Sequence, residues 1–357
     1  MKKRIRTALA CALCFIALFL ALSRLLMPKY ASFPFEGALS GEYYEDAGGN
    51  DVLFFGDCEV FESFSPVVLW RQYGITSCIR GGPEQRLWQS YYLLEDALKY
   101  ETPKVVVLNV LALKDGEAAS EAYNRMNIDG MRLSLTKLRC ARASMTEEES
   151  LLSYIFPIFR YHSRWQSLTG DDFKYFFGSR QVSHNGYLMR VDTRPLETLP
   201  AVKPLADYTF SEKALEYLDM LRELCEERGI RLVLIKAPSA YPHWYDEWDK
   251  QASDYAARHG LTYINFLNLG NETGIDMSTD TYDNGLHLNL SGAEKLSAWF
   301  GNWLIEETSV SDGRDDAALS AAWSGRAAFY DRMKQDQLAE LAEYGYLINY
   351  GGRPPEE

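Results

Sequence analysis

The chain has 357 residues, enough for one large domain or two small ones, and its 47% apolar and 13% aromatic content excludes a disordered or low-complexity protein. A formal net charge of -13 argues against a nucleic-acid partner, and no basic stripe, P-loop or zinc-ligand spacing appears, so no metal is implied. No cofactor is indicated beyond an acyl donor.

The N-terminus carries Lys2, Lys3, Arg4 and Arg6 before an apolar run from Thr7 to Leu22, which Leu25, Leu26 and Met27 extend past Arg24. Such a run predicts a single membrane span with the N-terminus cytoplasmic and the rest extracytoplasmic, Arg24 reaching the interface. The rival is a cleaved signal peptide, but the small-x-small site Ala21-Leu22-Ser23 is poor and Arg24 follows it, which favours an uncleaved anchor over residues 1–27. Four of the six cysteines (Cys58, Cys78, Cys140, Cys225) then lie outside, where disulfides are permitted, though their spacing shows no disulfide framework.

Residues 28–50, with Pro28, Pro34 and several glycines, read as a linker. Five short apolar runs follow, at 52–56, 75–79, 105–111, 231–236 and 262–266, rich in β-branched or aromatic residues as expected of strands buried on both faces. Helical patterns at 85–100, 211–228 and 291–305 alternate with them. Ser211 opens the second, Gly229 follows it, and Ser291 with Glu294 forms a capping-box pattern at the third. This alternation predicts an α/β domain over 51–307 with a doubly wound parallel sheet.

Residues 114–208 interrupt the pattern with many aromatics and no clear strand, which predicts a helical insertion: a lid over the carboxyl ends of the strands, or an extra packing subdomain. Residues 308–357 read as an acidic helical appendage, helical around 317–341.

Ligands of doubly wound sheets bind outside the carboxyl ends of the strands, and Cys58 falls at that end of the first strand, before a short helix. It is a candidate nucleophile, or else a small buried hydrophobe or a disulfide partner of Cys78. His287, in a polar loop before the last helix, is at the same edge, with Asp283 or Asn284 in reach to orient its ring. Asp57, Glu59, Asn124 and Arg125 are candidate polar lining residues for substrate. Tyr161, His162, Arg164 and Trp165 either touch an anionic or sugar substrate or form a packing helix face.

Gly56-Asp57-Cys58 resembles the Gly-Asp-Ser first block of the SGNH, or GDSL-type, hydrolases, with Cys for Ser, and the Asp283 to His287 stretch resembles their last block. The resemblance implies a three-layer fold with a five-stranded sheet in flavodoxin-type order. It implies Cys58 as nucleophile, His287 as base and Asp283 as orienter. The oxyanion hole would take N–H groups of Cys58 and of Gly81 or Gly82, with Asn109 as the nearest match to the third-block asparagine.

With the anchor, the chain is similar to membrane-anchored members that modify cell-surface polymers, such as D-alanyl transfer proteins and polysaccharide O-acetyltransferases. That resemblance implies an acyl esterase or O-acyltransferase acting on a surface polysaccharide or teichoic-acid-like polymer, with a membrane acyl-export protein as a candidate partner. The departures are the thiol, the degraded third block, and an acid four residues before the histidine rather than three, which puts Asn284 at the familiar position. They leave open a catalytically silent binding or scaffold module of the same fold.

Overall fold

A computed structural model describes residues 1–28, 35–46, 48–178 and 181–352. Five parallel strands form one sheet: β1 (Val52–Gly56), β2 (Ser77–Gly81), β3 (Val105–Asn109), β4 (Arg231–Lys236) and β5 (Thr262–Asn265), in the order β2-β1-β3-β4-β5. This is the flavodoxin-type order, so the chain reverses direction of winding between β1 and β3, and a crevice opens there at the carboxyl edge.

The helices in chain order are α1 (Lys2–Leu26), α2 (Leu39–Asp46), α3 (Cys58–Phe61), α4 (Pro66–Tyr73), α5 (Leu87–Ala97), α6 (Glu121–Ile128), α7 (Leu135–Ser144), α8 (Leu151–Ile155), α9 (Ile158–Tyr161), α10 (Gly170–Phe177), α11 (Glu212–Glu227), α12 (Asp246–His259), α13 (Leu290–Glu307) and α14 (Ala317–Tyr344). Side chains alternate across each strand. Leu53, Phe55, Val106, Leu108, Leu232 and Leu234 therefore face α5, α11 and α12. Val52, Phe54, Val105, Val107, Val233 and Ile235 face α4, α13 and α14. The result is the expected three layers.

Local chemistry sets the element ends. Ser211 accepts from Ala214 N at the start of α11, and Gly229 follows that helix at φ 66°. At α13 the cap is Asn289, accepting from Gly292 N, so Ser291, expected to open a capping box, lies two residues past the cap in the first turn.

Three expectations need correction. The 28–50 segment is more than a linker: among its described residues α2 buries Leu39 and Tyr43, and its Glu42 carboxylate accepts from Val182 N, Ser183 N and Ser183 Oγ. Residues 29–34 and 47 lie outside the described residues. Nor is the C-terminal helix an outer appendage. α14 buries Trp323 and Tyr330 in the second core cluster, with Trp323 stacked on Trp70 at 5.3 Å between centroids. Its polar residues dominate the sequence because only one stripe is covered, by α4 and α13.

The insertion divides. Its helices lie beside α5 and α1, with α6 touching the loop after β2, where Asn127 donates to Pro83 O at 3.1 Å. Its extended stretch from 181 on reaches the carboxyl edge of the sheet at the other loops, where Arg194 N donates to Thr281 O and Asn284 N to Arg194 O.

Burial, opposed by the Ser183 and Val182 hydrogen bonds, pushes the Glu42 carboxyl up from 4.5 to about 7. A carboxyl raised in the fold favours folding when protonated, so its contribution is complete below 4.5 and is lost as pH rises through about 7. Glu42→Gln should therefore flatten the part of the stability–pH curve between those values. Thermal unfolding across that range checks it, and an unchanged slope refutes it.

Candidate active site

β1 ends at Gly56, where the chain turns sharply: a Cβ there would lie 2.5 Å from Val60 Cγ2 and 2.9 Å from Asn109 Cβ, so only glycine fits. Asp57 then caps α3, its Oδ1 accepting from Glu59 N at 3.2 Å, and Cys58 opens the helix half-buried at the crevice. None of the six cysteines is in a disulfide among the described residues. Cys78 packs with the core on the other face of the sheet, which removes the disulfide alternative for Cys58.

From the far end of the chain, the loop before α13 brings His287 against the Cys58 thiol. His287 Nδ1 lies 2.6 Å from Asp283 Oδ2, and its backbone N–H donates to Asp283 Oδ1 at 2.8 Å. With Nδ1 held by the acid, the buried Nε2 makes no hydrogen bond among the described residues and is left for the thiol, whose charge acts on the ring. Asn284 takes no part in orienting the ring. It sits exposed at φ 65° and pairs with the insertion through its backbone. The sequence left Asp283 and Asn284 open; the left-handed turn at Asn284 carries its side chain away.

Two residues that the sequence reading missed complete the group. Glu62 Oε2 lies 3.7 Å from His287 Nδ1, and Tyr282 donates to Glu62 and lies 3.4 Å from the same nitrogen. Glu62 was legible in principle: four residues after Cys58, it shares a face of one helical turn with the thiol. Arg190, from the insertion, stacks on Tyr282 at 4.1 Å.

Under the thiol sits a buried ionic cluster. Lys236, at the end of β4, donates to both Glu59 oxygens at 3.0 and 2.9 Å, and both side chains are at most 1% exposed. Asn109 donates to Glu59 Oε2 at 2.9 Å and to Asp57 Oδ1 at 3.4 Å, while its own carbonyl accepts from Ala237 N.

This corrects several expectations. Glu59 lines no substrate path; it anchors the nucleophile turn from beneath. Asn109 faces the cluster rather than an oxyanion. The Gly82 N–H donates to Gly56 O at 3.3 Å and is committed to the sheet edge, while Gly81 pairs with Gly56 as the last residue of β2. The Cys58 N–H heads its helix with no acceptor among the described residues, whereas the Gly82 N–H is already taken.

Asn124 and Arg125 lie on α6 inside the insertion, away from the thiol. Asn124 donates to Ser144 O at 2.8 Å, and Arg125 binds Asp129 and Ser153 with Tyr154 3.6 Å beneath its guanidinium. Both hold the insertion together. Their polar type suggested a lining, but residues of the insertion and of α5 take up most of their polar groups.

The electrostatics follow from burial and crowding. Burial, then the charge of Glu59, pushes Asp57 up to about 7 against the pull of Lys236. Burial, then the Asp57 charge, pushes the Cys58 thiol up to about 12, with His287 pulling the other way. Burial disfavours a charged His287, but Glu62, Cys58 and Asp283 outweigh it and hold the imidazole well above its ordinary value. Burial thus favours the neutral form of the thiol, while the acids around His287 favour its protonated form. A cavity of about 460 Å³ opens nearby between residues 199–205 and the loop after β4, walled by Tyr241, Trp248 and Lys114, whose charge also acts on Asp57.

These features define a doubly wound α/β protein with an acid–imidazole–thiol line at the carboxyl edge of its sheet. No family model matches the chain, and no curated protein matches it. Solved structures do. A GDSL-like lipase from Bacteroides thetaiotaomicron VPI-5482 is similar at 12% identity and TM-score 0.36, covering 76% of this chain and 98% of that one. A protein assigned as an acylhydrolase from Bacteroides fragilis NCTC 9343 is similar at 10% identity and TM-score 0.35, covering 78% and 99%.

Proposed function

We propose that the chain is a membrane-anchored acyl-transfer enzyme of the SGNH/GDSL type, facing the outside of the cell and acting on acyl esters of a surface glycopolymer. The observation that carries the reading is the line from Asp283 through His287 to Cys58, assembled from opposite ends of the sequence at the ligand-binding edge of the sheet. Asp283 fixes the ring, and neutral His287 takes the thiol proton as sulfur attacks the ester carbonyl. The Cys58 N–H is the candidate oxyanion donor. The C–O bond breaks, the alcohol leaves with the proton from His287, and the acyl group stays as a thioester on Cys58. A hydroxyl of the acceptor polymer, or water, then takes the acyl group and the thiol is restored. The cavity beside Lys114 is a fitting place for an acidic polymer.

The test is intact-mass analysis of the full-length protein after exposure to an activated acetyl ester. An acetyl adduct on Cys58, absent from Cys58→Ala, is the expected result, and no adduct at any pH from about 6 to 9 overturns the reading. A specific observation favours one rival: the thiol is raised, and Gly82 and Asn109 are committed elsewhere, as in a module that binds polymer without turning it over. Absence of the adduct together with retained polymer binding assigns that role instead.

A further inference from the structure

The helical part of the insertion exposes large apolar side chains unusually densely. Leu152 is 57% exposed, Phe159 56%, Trp165 67%, Phe173 51% and Phe177 86%, all within residues 151–177. Soluble surfaces scatter such side chains singly, and a concentration of them marks a contact surface. Phe173 and Phe177, four residues apart, share one face of α10, while Asp172 and Tyr175 are buried against the protein.

The same segment holds the N-terminal helix. Phe19 of α1 packs on Phe156 and Phe159, with centroids 5.4 and 6.1 Å apart. Arg24 lies over Phe176 at 5.8 Å, and Arg164 donates to Leu26 O at 2.8 Å, capping the end of α1 while pairing with Asp172. At 25 residues α1 is roughly 37 Å long, sufficient to cross a bilayer core of about 30 Å.

Depth follows from these contacts. Phe19 is within the apolar run and five residues, roughly 7.5 Å along the axis, before Arg24. Whatever touches Phe19 from the side is then at the hydrocarbon edge or just inside it. Phe156 and Phe159 are at that level. Trp165, Phe173 and Phe177 follow on segments that pack against α1, interspersed with exposed Lys174 and half-exposed Arg160. Aromatic rings mixed with Lys and Arg stems are the composition of the membrane–water interface.

We infer that residues 151–177 are a second membrane contact, seated in the headgroup–hydrocarbon boundary of the leaflet on the Arg24 side of α1, so that the domain is docked on the bilayer and not merely tethered to it. The inference rests on α1 spanning the bilayer, as the proposed localisation requires. The insertion is then a membrane platform, and Trp165, expected to touch substrate or pack within the fold, faces lipid.

The experiment reconstitutes the full chain in phosphatidylcholine–phosphatidylglycerol nanodiscs containing a phosphatidylcholine with a photoreactive acyl chain, then maps lipid-modified peptides after illumination. Label in both α1 and 151–177 is expected. In the triple variant Phe159→Ser, Trp165→Ser and Phe177→Ser, label in 151–177 should fall about tenfold or more, with α1 label unchanged. Label in α1 alone overturns the inference and leaves the span intact, whether the face then lies in water or against a second copy. Label in neither overturns the span and the inference together. Insertion label that survives the triple variant also overturns it, because these side chains would not be what reaches lipid.

Discussion

Lys236→Met should destabilise the protein by about 3–5 kcal/mol, the usual cost of leaving one partner of a buried ion pair without the other. Lys236 is wholly buried and donates to both oxygens of Glu59 and to Ala237 O, so its loss strands a carboxylate under the nucleophile turn with only Asn109 to satisfy it. For a domain of this size the loss corresponds to a fall in Tm of about 10 °C. The double change Glu59→Leu with Lys236→Met should recover much of the loss, since no buried charge then remains unpaired. Thermal or denaturant unfolding of the two variants decides the matter. A Lys236→Met protein as stable as wild type would mean that water reaches the pair and that the cluster is not the dry support of Cys58 described above.

His287→Ala should slow acylation of Cys58 by an activated ester by about 10²–10⁴-fold, the range for removing a positioned general base. The pH dependence distinguishes this role from a structural one. In the wild type His287 is held protonated above its ordinary range by Glu62, Cys58 and Asp283 against the opposing effect of burial. It accepts the thiol proton only when neutral, so the rate should climb with pH through and beyond the ordinary imidazole value near 6.5 and level off once His287 has titrated. In His287→Ala the rate should instead follow the thiol alone, which burial and the Asp57 charge raise and which then lacks the opposing pull of His287, and keep rising through alkaline pH with no plateau. Stopped-flow acylation between about pH 6 and 10 measures both profiles. Identical profiles in the two proteins would remove His287 from the chemistry.

Much of the architecture was legible in the chain. Alternating β-branched runs and amphipathic helices predict a parallel sheet, and all five strands form close to their expected places; the second runs 77–81, two residues later than expected, with Arg80 buried against Asp96 at 3.2 Å. Cys58, His287 and Asp283 were also readable, because a turn after the first strand and a loop before the last helix both fall at the carboxyl edge of any such sheet. Glu62 and Tyr282 escaped because an acid and a tyrosine in isolation have no signature.

Asn109, Gly82, Asn124 and Arg125 were placed by residue type and by resemblance, yet whether an amide or a guanidinium faces ligand or protein depends on which groups surround it. In this fold Glu59, Gly56 and the insertion helices claim them first. The role of the insertion was hidden for the same reason: its aromatic content is evident in the chain, but contact with α1 is a long-range fact. The sequence by itself determined the strands, the Ser211 cap, the apolar N-terminal helix and the placing of Cys58 and His287 at one edge of the sheet, since these depend on local periodicity and backbone chemistry. Only the tertiary structure decided which polar groups are already satisfied, which acid orients His287 and which aromatic face is left bare, because each depends on partners far away in the chain.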